Sequence, residues 1–115
     1  MAVDSALARR VRSALSAAGR VEEKRMFGGL TFMVRGKMCI SVRRERIMCR
    51  IDPEMHDQAV AAQGCRTVVM KGRLYRGWVY VDAEVLRTKR ALDRWINMAL
   101  EYNARMDQRG GRMTT

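Results

Sequence analysis

The run GLTFMVRGKMCISVRRERIMCRI, Gly29 to Ile51, decides the fold. It divides into three strand-length pieces, GLTFMV (29–34), KMCISV (37–42) and RIMCRI (46–51), joined by very short connections. Arg35-Gly36 places a glycine where a two-residue hairpin turn needs positive φ. Arg44-Glu45 has poorer turn propensity, yet it separates two runs of strict alternation. Strands joined this tightly pair antiparallel.

Pairing about Arg44-Glu45 sets Ile40 opposite Cys49 and Val42 opposite Ile47, with Met38 and Ile51 on the same side. That side is the expected core face. The other face carries Lys37, Cys39, Ser41, Met48 and Arg50. Pairing about Arg35-Gly36 adds Leu30, Phe32 and Val34 to this second face, framed by Arg43, Arg46 and Arg50. A one-residue slip would exchange the faces, because side chains alternate with period two. A half-apolar, basic sheet face marks an interface. The expectation is a homodimer through Leu30, Phe32, Val34, Cys39, Met48 and Arg50. The same register puts Cys39 and Cys49 on opposite faces, so no disulfide is expected between them.

Outward from this core, residues 5–18 place Leu7, Val11, Ala14, Leu15 and Ala18 on one helical face, capped by Asp4 or Ser5. DPEMHDQAVAAQG (52–64) carries Asp52 as N-cap, Pro53 at the first helical position and Gly64 as terminator. Residues 66–70 and 77–81 read as strands joined by the basic loop KGRLYRG (71–77). Asp82 then caps a last helix over about 83–106, buried through Leu92, Trp95, Ile96 and Ala99. DQRGGRMTT (107–115) lacks periodicity and is expected to be a flexible tail. Residues 1–106 thus predict a single α+β domain, a two-layer fold with a five-stranded antiparallel sheet in the order α-β-β-β-α-β-β-α.

The 115 residues carry 23 Lys and Arg against 12 Asp and Glu, a net charge of +11 and a pI near 10.8. This surplus favours polyanion binding, although it is spread along the chain rather than held in one dense run. No apolar stretch approaches a membrane span, and no apolar segment follows the N-terminal arginines to make a secretory signal. Three cysteines in no C-x-x-C spacing fit a reduced, cytoplasmic protein better than a disulfide scaffold or a zinc site.

Catalytic chemistry finds little support. A P-loop requires G-x-x-x-x-G-K-[ST] between a strand and a helix. Here six residues separate Gly29 from Gly36, and Met38 follows Lys37. Gly28-Gly29 therefore reads as a bulge or a close backbone approach. The sole histidine, His56, reads as a surface residue without companions for a metal. Asp52 and Asp82 are accounted for as caps, and no nucleophile, base and oxyanion donor assemble. No enzyme, cofactor or metal is expected. Cys39 is the best-placed thiol for a redox sensor, because Lys37 and Arg50 would lower its pKa. For nucleic acid, Arg87, Arg90 and Arg94 share one face of the last helix. Lys71, Arg73 and Arg76 form a second cluster, with Tyr75 and Trp78 able to stack on bases.

RMFGGLTFMVRGKMC (25–39), IMCRIDPE (47–54), RGWVYVDAEVL (76–86) and ALDRWINMALEY (91–102) together resemble the N-terminal domain of the TfoX/Sxy competence regulators. The motif residues are Met26, Phe27, Gly28, Gly29, Gly36, Gly77 and Trp78. The resemblance implies a two-layer α+β fold, a bacterial cytosolic protein and a role in transcription regulation alongside another regulator. It supplies no catalytic or ligand residues. The competence regulators carry a second, C-terminal domain, and this chain ends before one, so a stand-alone module is expected. The leading expectation is a non-enzymatic module working through contact with a protein, such as part of the transcription machinery. Direct nucleic-acid binding and a thiol sensor at Cys39 are the alternatives.

Overall fold

The computed structural model describes the backbone of residues 4–26 and 28–113, and side chains up to residue 106. Helix α1 (Ser5–Ala14) leads into four strands, β1 (Val21–Met26), β2 (Gly29–Val34), β3 (Lys37–Val42) and β4 (Arg46–Arg50). A 3-10 turn (Pro53–Met55) runs into the short α2 (His56–Val60), followed by β5 (Cys65–Met70) and β6 (Arg73–Asp82). A second 3-10 turn (Ala83–Leu86) precedes the long α3 (Lys89–Met113). The strands form one antiparallel sheet in the order β1-β2-β3-β4-β6-β5.

The sheet has six strands where five were expected, and the order is α-β-β-β-β-α-β-β-α. The additional strand is β1, VEEKRM, four of whose six residues are charged and whose middle four are exposed. Such a segment shows no apolar alternation. It is a strand because the backbone of β2 offers it a hydrogen-bonding edge, from Val21 opposite Val34 to Met26 opposite Gly29. Charged side chains on an outermost strand discourage pairing with further chains. Arg12 of α1 holds it to the helix layer through two contacts with Glu23, of 2.5 and 2.7 Å.

The β3–β4 pairing is the expected one, with Ile40 opposite Cys49 and Val42 opposite Ile47. The β2–β3 pairing is not uniform. Val34 faces Lys37 and Met33 faces Met38 near the turn, but Phe32 then faces Ile40, leaving Cys39 as an extra residue on β3. This bulge reverses the parity of the strand. Phe32, Val34 and Cys39 join Ile40, Val42, Ile47, Cys49 and Ile51 in the core under the helices, and Leu30 packs against them. Met38 turns to the opposite face. Leu30, Phe32, Val34 and Cys39 therefore do not form the expected dimer face, which retains Met48 and Arg50.

The core beneath the helices unites Leu7, Val11 and Leu15 of the α1 region with Leu92, Trp95, Ile96 and Ala99 of α3 and the inward residues of β2, β3, β4 and β6. Each fully buried aliphatic side chain contributes roughly 1.5–3 kcal/mol from apolar burial. Asn103 of α3 fastens the helix to the first hairpin. Its amide donates to the carbonyl of Val34 at 2.9 Å, and its Oδ1 accepts from Arg35 at 3.0 Å.

The helix ends differ from expectation in two places. Asp82 makes no capping hydrogen bond and instead pairs with Arg66 at 2.7 Å. Thr88 caps α3, its Oγ1 accepting from the Ala91 N–H at 3.1 Å. The basic segment 71–77 is no loop either. Lys71-Gly72 makes a two-residue turn with φ of 51° and 75°, and Arg73 begins β6. The helical backbone of α3 continues beyond residue 106 to Met113, through most of the segment expected to be a tail. Residues 114–115, and Phe27 of the motif, lie outside the described residues.

Gly29 is buried, and a Cβ there would stand 2.4 Å from the carbonyl oxygen of Val42 and 3.1 Å from both Arg43 Cγ and Ser41 Oγ. The backbone oxygen cannot retreat without breaking the β2–β3 ladder. Gly29→Ala is expected to destabilise the fold by about 2–4 kcal/mol. Gly36→Asn, at a turn with open space around it, is expected to cost no more than about 1 kcal/mol. Urea unfolding of the two variants beside the parent measures both.

Candidate interaction face

The face of the sheet turned away from the helices has its own apolar cluster. Met38, Met48, Val68 and Tyr80 form its buried centre, with Met33, Met70, Tyr75 and Trp78 partly exposed around them. All of these residues belong to strands, and no helix of the described residues contributes to the cluster.

Three arginines lie over this cluster. The guanidinium of Arg46 sits 3.8 Å from the centre of the Tyr80 ring, and that of Arg43 lies 5.3 Å from the same ring. Arg50 lies 5.0 Å from the Trp78 ring. The register explains the stacking. Arg50 is the cross-strand partner of Trp78, and Met48 that of Tyr80, so the arginines of β4 flank the aromatic residues of β6 on one face. Arg43 reaches the ring from the end of β3. Each cation–π contact is worth about 0.5–2 kcal/mol, the larger value when water is excluded.

Gly28 and Gly29 make the room for Arg43. A Cβ on Gly28 would stand 3.2 Å from a terminal nitrogen of Arg43, and one on Gly29 3.1 Å from its Cγ. The paired glycines are thus a bed for the side chain of Arg43, and no phosphate cradle. Beneath it, the Thr31 hydroxyl bonds Ser41 Oγ at 3.0 Å and the Met26 carbonyl at 3.1 Å, which satisfies these buried hydroxyls within the sheet.

The electrostatics of this face are unbalanced. Arg12, Arg66, Arg76, Lys89 and Arg105 each pair with a carboxylate. Among the described residues, Arg43, Arg46 and Arg50 pair with none. The Nε of Arg43 is buried and has no hydrogen-bond acceptor. Burial holds the Arg43 guanidinium below its usual pKa, the nearby Tyr80 opposing this and the like charge of Arg46 adding to it.

The other predicted site residues fall elsewhere. Arg87, Arg90 and Arg94 are exposed on the helix layer, on the far side of the sheet from this face. Arg87 lines an open hollow of about 540 Å³ between α1 and α3, while Arg90 and Arg94 border a neighbouring one. Lys71 and Arg73 are exposed at the tip of the β5–β6 hairpin, beside Val69 and Leu74, 52% and 74% exposed. Arg76 is bound by Asp57 through contacts of 3.0 and 3.2 Å. The structure does not gather these basic residues into one surface.

Cys39 departs from its predicted role. It is 1% exposed, and burial pushes its thiol up to about 12, the Arg35 charge offsetting only part of the effect. Lys37 and Arg50 do not activate it. Cys39 and Cys49 share the core instead of lying on opposite faces, and Cys39, Cys49 and Cys65 are all free thiols. A sulfur held this far from its thiolate is a packing residue.

His56 is buried at 5% exposure, not on the surface. Its Nδ1 accepts from the Gly77 N–H at 2.9 Å, which leaves Nε2–H to donate to Thr67 Oγ1 at 2.8 Å. The reason lies in β6, where the pairing with β5 jumps from Thr67–Val79 to Val68–Tyr75. Gly77, at φ 90°, takes up the resulting kink, packed against Ile51 and Pro53. Its N–H turns to His56, while its carbonyl accepts from the Ile51 N–H at 2.8 Å. Arg-Gly-Trp at 76–78 was the available signal, since a glycine inside a strand pattern marks a bulge. Among the described residues, no group of three His, Cys, Asp or Glu side chains gathers around a common point.

The described architecture defines a small α+β module with one sheet face sealed by helices and the other dressed with unpaired arginines. No helix among the described residues is long and apolar enough to cross a membrane. Residues 13–102, most of the chain, match the family model of the TfoX N-terminal domain, and the chain belongs to that family. Comparison with curated proteins returns no match.

Burial, reinforced by Arg76 and opposed by Asp57, keeps the His56 imidazole below its ordinary value of 6.5. The unfolded chain then binds the proton first as pH falls, so stability decreases below pH 6.5 until the depressed folded value is reached. His56→Gln is expected to lose stability at neutral pH and to flatten this part of the profile. Urea midpoints measured at several pH values for parent and variant test both.

Proposed function

We propose that this chain is a non-enzymatic regulatory module that works by binding a protein through the arginine-covered face of its sheet. The observation that carries this reading is the set Arg43, Arg46 and Arg50, stacked on Tyr80 and Trp78 with no carboxylate partner among the described residues. Guanidinium groups that are held in place and already partly stripped of water lose little further entropy when a partner docks. Arginine and aromatic residues over an adaptable methionine floor are the composition of interface hot spots. Family membership supports a competence-regulator-like setting, in a bacterial cytoplasm and close to transcription. The face offers little to a second copy of itself, because a two-fold contact would oppose six unneutralised guanidinium groups.

A second reading has its own observation. Arg87, Arg90 and Arg94 are exposed and make no ion pair among the described residues, which suits contact with a nucleic-acid backbone.

Affinity capture from a bacterial lysate, with and without nuclease, separates the two readings. The tagged parent is expected to retain the same identified protein in both conditions, and Arg46→Glu/Arg50→Glu to release it. Retention unchanged by that pair of substitutions rules out this face. For the second reading, replacing Arg87, Arg90 and Arg94 by Ala is expected to cut duplex DNA affinity at least about tenfold at low salt, by loss of phosphate contacts. A filter-binding titration measures it, and a parent protein without salt-sensitive affinity removes the reading.

A further inference from the structure

We infer that the partner of this face is an acidic, extended peptide segment that carries an apolar side chain between its carboxylates. The inference rests on the interaction reading above and gives its partner a chemistry.

Charge selects the sign. Three guanidinium groups share the face with no ion-pair partner among the described residues, two of them over one ring, and the buried Arg43 Nε has no acceptor there. Of the nearby carboxylates, that of Asp82, the cross-strand neighbour of Arg46, is bound by Arg66. A carboxylate approaching from solvent would meet planar donor edges already fixed by stacking, the arrangement that suits bidentate pairing.

Spacing selects the form. Arg46, Met48 and Arg50 alternate along β4 on one face. At about 3.3 Å per residue, the two arginine positions stand roughly 13 Å apart. An extended peptide presents residues i, i+2 and i+4 on one side at this same spacing. Acidic residues at i and i+4 would meet Arg46, with Arg43 beside it, and Arg50. The side chain at i+2 would lie over the ground between them, where the partly exposed Trp78 borders the buried Met48 and Tyr80. Met33, Met70 and Tyr75, each partly exposed, complete an apolar rim that adapts to different side chains.

The same observations disfavour single-stranded nucleic acid as the occupant. Binding of that kind depends on free aromatic faces for stacking bases. Here the Tyr80 ring is covered by two guanidinium groups and is 9% exposed, and Arg50 lies over Trp78.

The test is fluorescence anisotropy on the whole protein with a labelled peptide repeating Glu-Ser-Leu-Ser three times. Binding in the micromolar range is expected, weakening as salt rises. Substituting Gln for Glu in the peptide, or Ser for Leu, is expected to weaken it at least about tenfold. Arg46→Glu/Arg50→Glu is expected to abolish it and to gain affinity for the Lys-Ser-Leu-Ser peptide. The milder Arg46→Gln/Arg50→Gln guards against loss of fold, with circular dichroism checked for both. Equal affinity for the Glu and Gln peptides overturns the inference, as does binding unaffected by either pair of substitutions. So does tighter binding of oligodeoxythymidylate at the same arginines, or a concentration-dependent dimer that Arg46→Glu/Arg50→Glu dissolves. If the acidic peptide fails to bind while the lysate capture still depends on Arg46 and Arg50, the partner chemistry falls and the interaction reading stands. If neither depends on these arginines, both fall.

Discussion

The antiparallel pairing of β3 with β4, in which Ile40 meets Cys49 and Val42 meets Ile47, divides this molecule into its two working sides. Side chains on a strand alternate with period two, so one pairing commits every neighbour to a face. On the inner side it assembles Ile40, Val42, Ile47, Cys49 and Ile51 into a floor on which α1 and α3 seat Leu7, Val11, Leu15 and Ile96. On the outer side it aligns Arg46, Met48 and Arg50, and the pairing of β4 with β6 sets Tyr80 and Trp78 beside them. Core and candidate interaction face are thus two consequences of one register, and a slip between β3 and β4 would bury the arginines.

The outer face shows how glycine can serve a charged residue. Gly28 and Gly29 lie against Arg43, whose guanidinium reaches the Tyr80 ring over the space a Cβ would fill. The same ring receives Arg46, whose cross-strand partner Asp82 lies two residues further along β6. Two like charges are brought together by stacking while their acceptors are withheld, and Asp82, the nearest cross-strand carboxylate, is taken by Arg66. A surface arranged this way presents donors that stacking has already oriented. The cost is carried in the free protein, where burial and like charge depress the Arg43 pKa.

Much of the fold is legible in the amino-acid order because the strongest signals are local. Apolar alternation located β2, β3 and β4, glycine positions marked the turn at Arg35-Gly36, and Asp52-Pro53 announced the start of a helical segment. β1 was not legible, since VEEKRM has no apolar pattern and is a strand through pairing with β2 alone. The bulge at Cys39 was not legible either, and it moved Phe32, Val34 and Cys39 from the expected interface into the core. A bulge leaves no mark on alternation until both strands are aligned in space. His56 looked like a surface residue for a related reason. Its partners, Gly77 and Thr67, come from strands far along the chain, and only their approach gives the imidazole two bonds and removes it from water.

By itself the sequence determined the class of fold, the central register and the family, because period-two alternation and tight-turn glycines are encoded within a few residues of each other. It also supplied Met48, Arg50 and the arginines around them as one side of a sheet. Only the tertiary structure decided which apolar residues accompany them, that Cys39 is a buried thiol, and that Arg43, Arg46 and Arg50 stand on aromatic rings with no carboxylate partner among the described residues. Those outcomes depend on which distant side chains share a site once the strands have closed. Burial and charge balance are properties of that neighbourhood, and no local stretch of sequence contains them.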